Sequence, residues 1–334
     1  MAAHVLNNET SSHTRVPFRE LPQRPRMATP EWVCPCKDDA DVHYQLNLIN
    51  GVYQMCLQQE DTMNELISTF ETRDDDIFVC TFVKSGTTWT QHIINLLLHE
   101  GEQGERNYTE VVPWLESLTH GGAHSPEAMN WTLDTLKSTP DRRFMKTHAN
   151  LKDLPAGMAK GLKVLYVARN PKDVCVSLFH HAKDKPLHGF DGDMSDMIQC
   201  FVRGRRVSCE NGSWFNHVLE WWEAAKADPE HVMFITYEAM LKQPEEHIVK
   251  IADFLGIKHT PEIVAKTAAA STISAMKKNS KANVRPHINH LRKGGSGGWR
   301  KVFTVRESEE FDKIYLQQME GTGLKFDFGE GLVM

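Results

Sequence analysis

From about Tyr44 onward, short β-branched apolar runs alternate with longer stretches whose apolar positions recur at helical spacing. Ile77–Val83 is a compact apolar run of the kind that forms a strand buried on both faces. It turns through Lys84-Ser85-Gly86 into Thr87–His99, where Trp89, Ile93, Ile94, Leu97 and Leu98 make one apolar helical face. Leu162–Ala168 reads as a second strand, Arg143–His148 as a third and Val232–Glu238 as a fourth. Asn170-Pro171 punctuates the way into a helix over Asp173–His181, as a proline near a helix start should. Further helices are expected over Ser213–Ala227, Pro244–Leu255, Pro261–Ala269 and Glu307–Met319. Strand–loop–helix units in series predict an α/β fold: a single domain with a central parallel β-sheet flanked by helices. Ligands of such folds sit beyond the carboxyl ends of the strands, and the candidate motifs fall there.

The first stretch of chain does not share this pattern. Residues 1–42 are polar and proline-punctuated and read as an extended or disordered arm, leaving 43–334 as the folded domain. The N-terminus lacks the apolar core of a secretory signal, and its Ser/Thr content with few acids has some likeness to an organelle transit peptide. A cytoplasmic location is the favoured expectation, with Asn8, Asn107, Asn130 and Asn211 as chance sequons. No apolar run approaches the ~18–20 residues that cross a bilayer. The net charge of −6 argues against a general nucleic-acid binder, so basic clusters such as Lys277-Lys278 and Arg292-Lys293 need local explanations. Seven cysteines do not form a disulfide framework, and Cys34-Pro-Cys36 has no second Cys/His pair nearby to make a zinc site.

Thr81–Trp89 has the parts of a phosphate cradle: a strand end, a glycine for a tight turn, and a helix whose first N–H groups face the turn. Lys84 adds a cation, and Ser85, Thr87 and Thr88 add hydroxyls. It is not a Walker loop, because here the lysine precedes the only glycine. Lys84-Ser85-Gly86 alone would be an ordinary turn with a solvated lysine. The whole string Lys84–Trp89, between a strand and an amphipathic helix, resembles the donor loop of the cytosolic sulfotransferases. That family uses 3′-phosphoadenosine 5′-phosphosulfate (PAPS), and the resemblance makes this a P-loop-like phosphosulfate-binding loop. Phe82-Val83 departs from the family's Tyr-Pro before the lysine.

PAPS has a second phosphate, which requires a second anion site. Arg169 can grip phosphate with its planar fork, and Ser177 on the following helix can add a hydroxyl. Arg169–Ser177 is similar to the family's R-N-x-K-D-x-x-x-S element. Leu291-Arg292-Lys293-Gly294, continuing to Trp299, resembles its R-K-G-x-x-G-x-W signature, which implies contact with the 3′-phosphate. Trp89 can stack on adenine, and the resemblance makes Tyr237 its companion; the less favoured alternative, weaker still for Trp89, is that they are core aromatics. Ser271, Thr272 and Met276 align more loosely with the stretch bordering the nucleotide.

Sulfuryl transfer is an in-line displacement that needs positioning, a base and one or two cations, and in principle no metal. Lys146-Thr147-His148 resembles the family's K-T-H element, with His148 as general base and Lys146 and Lys84 stabilising the leaving side. The resemblance also implies that Ser177 holds Lys84 away until the acceptor binds. Ala149-Asn150 replaces the family's Leu-Pro beside the base. On the acceptor side, Trp114 and His181 are the candidate contacts with a small molecule. Leu178-Phe179-His180-His181 suggests an acceptor more polar than a flat phenol, unless these histidines simply line the outside of a helix. Arg300, Thr304, Val305 and Glu309 resemble the family's K-x-x-x-T-V-x-x-x-E dimer motif, with Arg for Lys, which implies a homodimer. Two rivals remain: a P-loop-type small-molecule kinase, which lacks its Walker lysine and acidic magnesium ligand here, and a non-catalytic phosphoadenosine-binding protein, which would have no need of His148 and Lys146.

Overall fold

A computed structural model of the protein describes residues 46–49, 52–55, 60–120, 131–156, 158–184, 190–203, 212–286 and 290–334. The expected arm over 1–42, Cys34-Pro-Cys36 and the sequons at Asn8, Asn130 and Asn211 lie outside these residues. The first described elements are an antiparallel pair, β1 (Leu46–Ile49) with β2 (Val52–Met55), and helix α1 (Glu60–Thr69). The main sheet is built from β3 (Ile77–Thr81), β4 (Phe144–Thr147), β5 (Lys163–Ala168) and β6 (Val232–Thr236). Helices α2 (Thr87–Leu98), α3 (Tyr108–Val111) and α4 (Leu133–Ser138) separate β3 from β4. Helices α5 (Pro171–Asp184), α6 (Met194–Arg203) and α7 (Trp214–Ala227) separate β5 from β6. After β6 come α8 (Tyr237–Lys242), α9 (Pro244–Leu255), α10 (Pro261–Ala270), α11 (Ile273–Lys278) and α12 (Val305–Met319).

The strand order is β4-β3-β5-β6 and every pairing is parallel, as the alternating pattern predicts. The chain goes from β3 to one neighbour and then returns on the other side. The carboxyl end of β3 is therefore a topological switch point, where a crevice opens. Alternate residues of each strand enter opposite cores. Ile77, Val79, Leu165 and Val167 pack with residues of α2, α8 and α9, whereas Phe78, Cys80, Val164 and Tyr166 pack with α5, α6, α7 and α12. At the opposite end of the sheet, Arg143 Nε donates to Asp76 Oδ1 at 2.7 Å while its second nitrogen meets Oδ2. This buried fork joins the amino ends of β3 and β4 and fixes their register.

Several element boundaries differ from the sequence expectation, and three of them have a clear local reason. β3 stops at Thr81 because the Ser85 N–H turns back to the Phe82 carbonyl at 3.2 Å. β6 stops at Thr236, whose hydroxyl accepts the Ala239 N–H at 3.3 Å, so Tyr237 and Glu238 open a helix instead of ending a strand. α5 already begins at Pro171, with the Asn170 side chain accepting the Asp173 N–H at 2.9 Å. Among the described residues, no helix is long and apolar enough to cross a membrane.

Candidate active site

Beyond the carboxyl ends of the four parallel strands lies a cavity of about 570 Å³. One wall is the turn from β3 into α2. Lys84 adopts φ 67° and Gly86 φ 105°, so two left-handed residues flank Ser85 and the backbone wraps into a concave turn. A non-glycine residue held there costs ~1–3 kcal/mol, which is a mark of functional backbone. Gly86 is required twice over: a Cβ would stand 2.7 Å from Cδ2 of Tyr237, at a φ that side chains resist. Gly86 caps α2 without a side-chain hydrogen bond, so the first N–H groups of the helix point at the cavity end of the turn.

The donors converging here exceed the acceptors. Trp89 Nε1 and Arg169 Nε, on residues that line the cavity, are buried atoms that meet no hydrogen-bond partner among the described residues, and neither does the wholly buried Ser85 Oγ in the turn itself. Lys84, Lys146, Arg169, Arg285, Arg292 and Lys293 line the cavity, with Asp173 as the carboxylate among its described lining residues. Asp173 is itself committed to the scaffold. It accepts the Gly297 N–H at 2.7 Å and the Trp299 N–H at 3.1 Å, which clamps the 291–298 loop onto the start of α5. Arg169 donates to the Gly295 carbonyl at 2.8 Å and lies 4.5 Å from the Tyr237 ring centre. Its guanidinium thus joins both loops and an aromatic face. Trp89 meets Tyr237 edge-on at 5.2 Å. Such a row of unsatisfied donors and cations beside aromatic faces fits an anionic nucleotide.

His148 follows β4 and faces the same cavity. Its Nδ1 lies 2.8 Å from the Thr81 carbonyl, which can only accept, so Nδ1 carries the proton and Nε2 keeps a lone pair. Burial, then the Lys146 charge, hold this imidazole well below the usual histidine range, with smaller contributions from His217 and Lys84. It is therefore neutral near pH 7. The segment is supported from behind. Glu116 Oε1 accepts the Thr147 hydroxyl at 2.6 Å and the His148 N–H at 2.9 Å. His217 donates from Nε2 to the His148 carbonyl at 3.0 Å and accepts the Tyr166 hydroxyl on Nδ1 at 2.8 Å. Lys146 Nζ sits 4.2 Å from the Trp114 ring centre, and Trp114 meets His148 edge-on at 5.8 Å.

The sulfotransferase domain family matches residues 74–323 of the chain. The chain belongs to the sulfotransferase family. It is 35% identical to dog sulfotransferase 1A1 over 275 residues, covering 78% of this chain and 89% of that protein. It is 32% identical to human sulfotransferase 1C2 over 274 residues, again 78% of this chain and 88% of the relative. Among solved structures, mouse sulfotransferase SULT7A1 complexed with PAP superposes with a TM-score of 0.69 at 29% identity. That match covers 83% of this chain and 95% of the mouse chain.

In this sulfotransferase all but one of the residues expected to bind the donor or acceptor or to act in catalysis line one cavity. Lys84, Gly86, Thr87, Thr88, Trp89, Trp114, Lys146, His148, Arg169, Ser177, His181 and Tyr237 are brought together there, as are Ser271, Thr272, Met276, Leu291, Arg292, Lys293 and Gly294. Ser85 is the exception, since its side chain is wholly buried and is not among the lining residues. Thr272 also caps α11, and Met276 is buried in that helix. The expected hold of Ser177 on Lys84 takes another form: no hydrogen bond joins these two among the described residues, and Lys84 Nζ lies 3.3 Å from His181 Nδ1. Sequence reasoning missed Arg285 and His290, which also line the cavity. His290 Nε2 pairs with Thr88 Oγ1 at 2.9 Å, a contact between distant parts of the chain that no local pattern announces. Arg300 turns inward, donating to the Phe328 carbonyl at 2.6 Å and the Gly329 carbonyl at 2.9 Å. Thr304 caps α12 reciprocally with Glu307, and Val305 is 76% exposed.

Proposed function

We propose that the chain transfers the sulfuryl group of PAPS to a hydroxyl or amine of a small acceptor and releases PAP. The observation that carries this reading is the meeting, in one cavity, of the donor-rich turn at Ser85–Trp89 with the neutral imidazole of His148. Lys84, Ser85, Gly86, Thr87 and Thr88 hold the phosphosulfate end. Arg169, Ser177, Arg292, Lys293 and Gly294 hold the 3′-phosphate, and Trp89 and Tyr237 border the adenine, with Ser271, Thr272, Met276 and Leu291 completing the rim. When bound, PAPS supplies a sulfuryl group already attached to a good leaving oxygen. His148 Nε2 takes the proton of the acceptor as the acceptor's oxygen or nitrogen closes on sulfur. Lys84 and Lys146 place ammonium groups where the leaving oxygen gains charge. Trp114 borders the acceptor, and a cytoplasmic location suits this chemistry.

Thermal shift tests the donor. At saturating concentrations PAP raises the melting temperature by several degrees while ATP at the same concentration does not; equal shifts would favour a kinase. A homodimer through Val305 and its neighbours Arg300, Thr304 and Glu309 is part of the same reading, supported by the exposure of Val305. Sedimentation of a monomer at micromolar concentration would contradict it.

A further inference from the structure

The contact between Lys84 and His181 is not explained by the donor loop. His181 lies one turn after Ser177 on α5, half-buried, and its Nδ1 is 3.3 Å from Lys84 Nζ. An ammonium has three donors and no lone pair, so Nδ1 is the acceptor and is unprotonated, and the neutral ring carries its proton on Nε2. Just after the loop, Thr88 in the first turn of α2 pairs with His290 at 2.9 Å, and the two imidazole rings lie 6.1 Å apart. Two histidines from separate parts of the chain therefore meet beside the loop that carries the lysine and the helix that follows it.

We propose that His181 is a positioning residue for Lys84: its Nδ1 lone pair holds the ammonium at the reacting end of the cavity. A lysine side chain sits on a flexible stem of many rotamers, and a hydrogen bond at its end narrows the orientations it samples. A charge-assisted hydrogen bond to a ring fixed on a helix offsets much of that freedom before the donor arrives. The backbone at Lys84 is already constrained at φ 67°, so the imidazole completes from the side-chain end what the turn begins. His181 then acts on the reaction through Lys84, a different role from the acceptor contact expected of it.

This inference rests on the reading of PAPS-dependent transfer, and a double-mutant cycle separates the two. kcat and KM for PAPS are measured for the wild type, H181L, H181N, K84A and the K84A/H181L pair, with PAP affinity by calorimetry. H181L is expected to lower kcat about tenfold, the size of a coupling between residues in contact, while PAP affinity stays within about twofold. Asn places an acceptor oxygen near the position of Nδ1, so H181N recovers most of the loss. In the K84A background H181L costs nothing further. An equal loss in both backgrounds, an H181N no better than H181L, or a fully active H181L overturns the proposal. Melting temperatures are recorded alongside. If H181L melts early, H181N is compared with H181Q, whose acceptor is displaced by a methylene, and equal activity of those two overturns it. Should the wild type itself transfer nothing from PAPS, the donor reading fails; failure of the present inference leaves the wild type fully active.

Discussion

Burial makes His148 a weak base in the free protein, and Lys146 and Lys84 depress it further. In the proposed reading His148 is the base and these lysines bind the anionic donor, whose charge opposes theirs at the imidazole. His148 should therefore become more basic once PAPS is in place. The base must be unprotonated to work, so the rate falls as pH drops through its pKa. The acid limb of kcat, which reports the loaded complex, is expected at higher pH than the acid limb of kcat/KM for PAPS, which reports the free enzyme. Coincident or reversed limbs would show that the lysines do not couple to His148 in this way. At this scale the sequence was most informative where motif residues lie close together along the chain. Lys84, Gly86 and His148 could be singled out from their neighbours, whereas the partner of Lys84 is separated from it by two strands and several helices.

The elements place these residues through contacts with their flanks. Glu116 precedes β4 in the chain yet serves its far end, because one carboxylate oxygen accepts both the Thr147 hydroxyl and the His148 N–H. Burial pushes the Glu116 carboxyl up, and these two donors draw it back down. Glu116→Ala leaves a buried hydroxyl and a buried N–H without their acceptor, a loss of about 2–4 kcal/mol, and kcat should fall as His148 loses its support. Glu116→Gln keeps an acceptor oxygen and should lose less than half as much by urea denaturation. Equal stability and equal kcat in wild type and Glu116→Ala would remove the supporting role. Asp173 likewise stood in a recognised string without a task; its clamp on Gly297 and Trp299 depends on how α5 meets a loop far along the chain. Strand ends failed in the sequence for a similar reason. Tyr237 and Glu238 follow the run Val232–Thr236 with no break such as Gly or Pro, and the hydrogen bond to the Thr236 hydroxyl marks where a helix begins.

Over the whole molecule, the alternating pattern was enough for a parallel sheet flanked by helices, and parallel strands bring their carboxyl ends to one side. That is why motifs scattered from Lys84 to Gly294 share a cavity. Strand order was not legible, since β3 and β5 are both apolar runs and nothing local decides which edge strand each takes as its outer neighbour. The charge of the molecule shows the same division between local and global. A chain with net charge −6 gathers six cationic side chains around one cavity, a contrast that composition conceals and the fold produces. Such a cavity calls for an anionic ligand, and the neutral imidazole within it calls for a reaction. The direct measurement is transfer of labelled sulfate from PAPS across a panel of phenols, alcohols and amines by the wild type and His148→Ala. The wild type should label at least one acceptor, and His148→Ala should do so about 10²–10⁴-fold more slowly while still binding PAP. Full activity in His148→Ala, or no labelling by a wild type that binds PAP, would contradict the account.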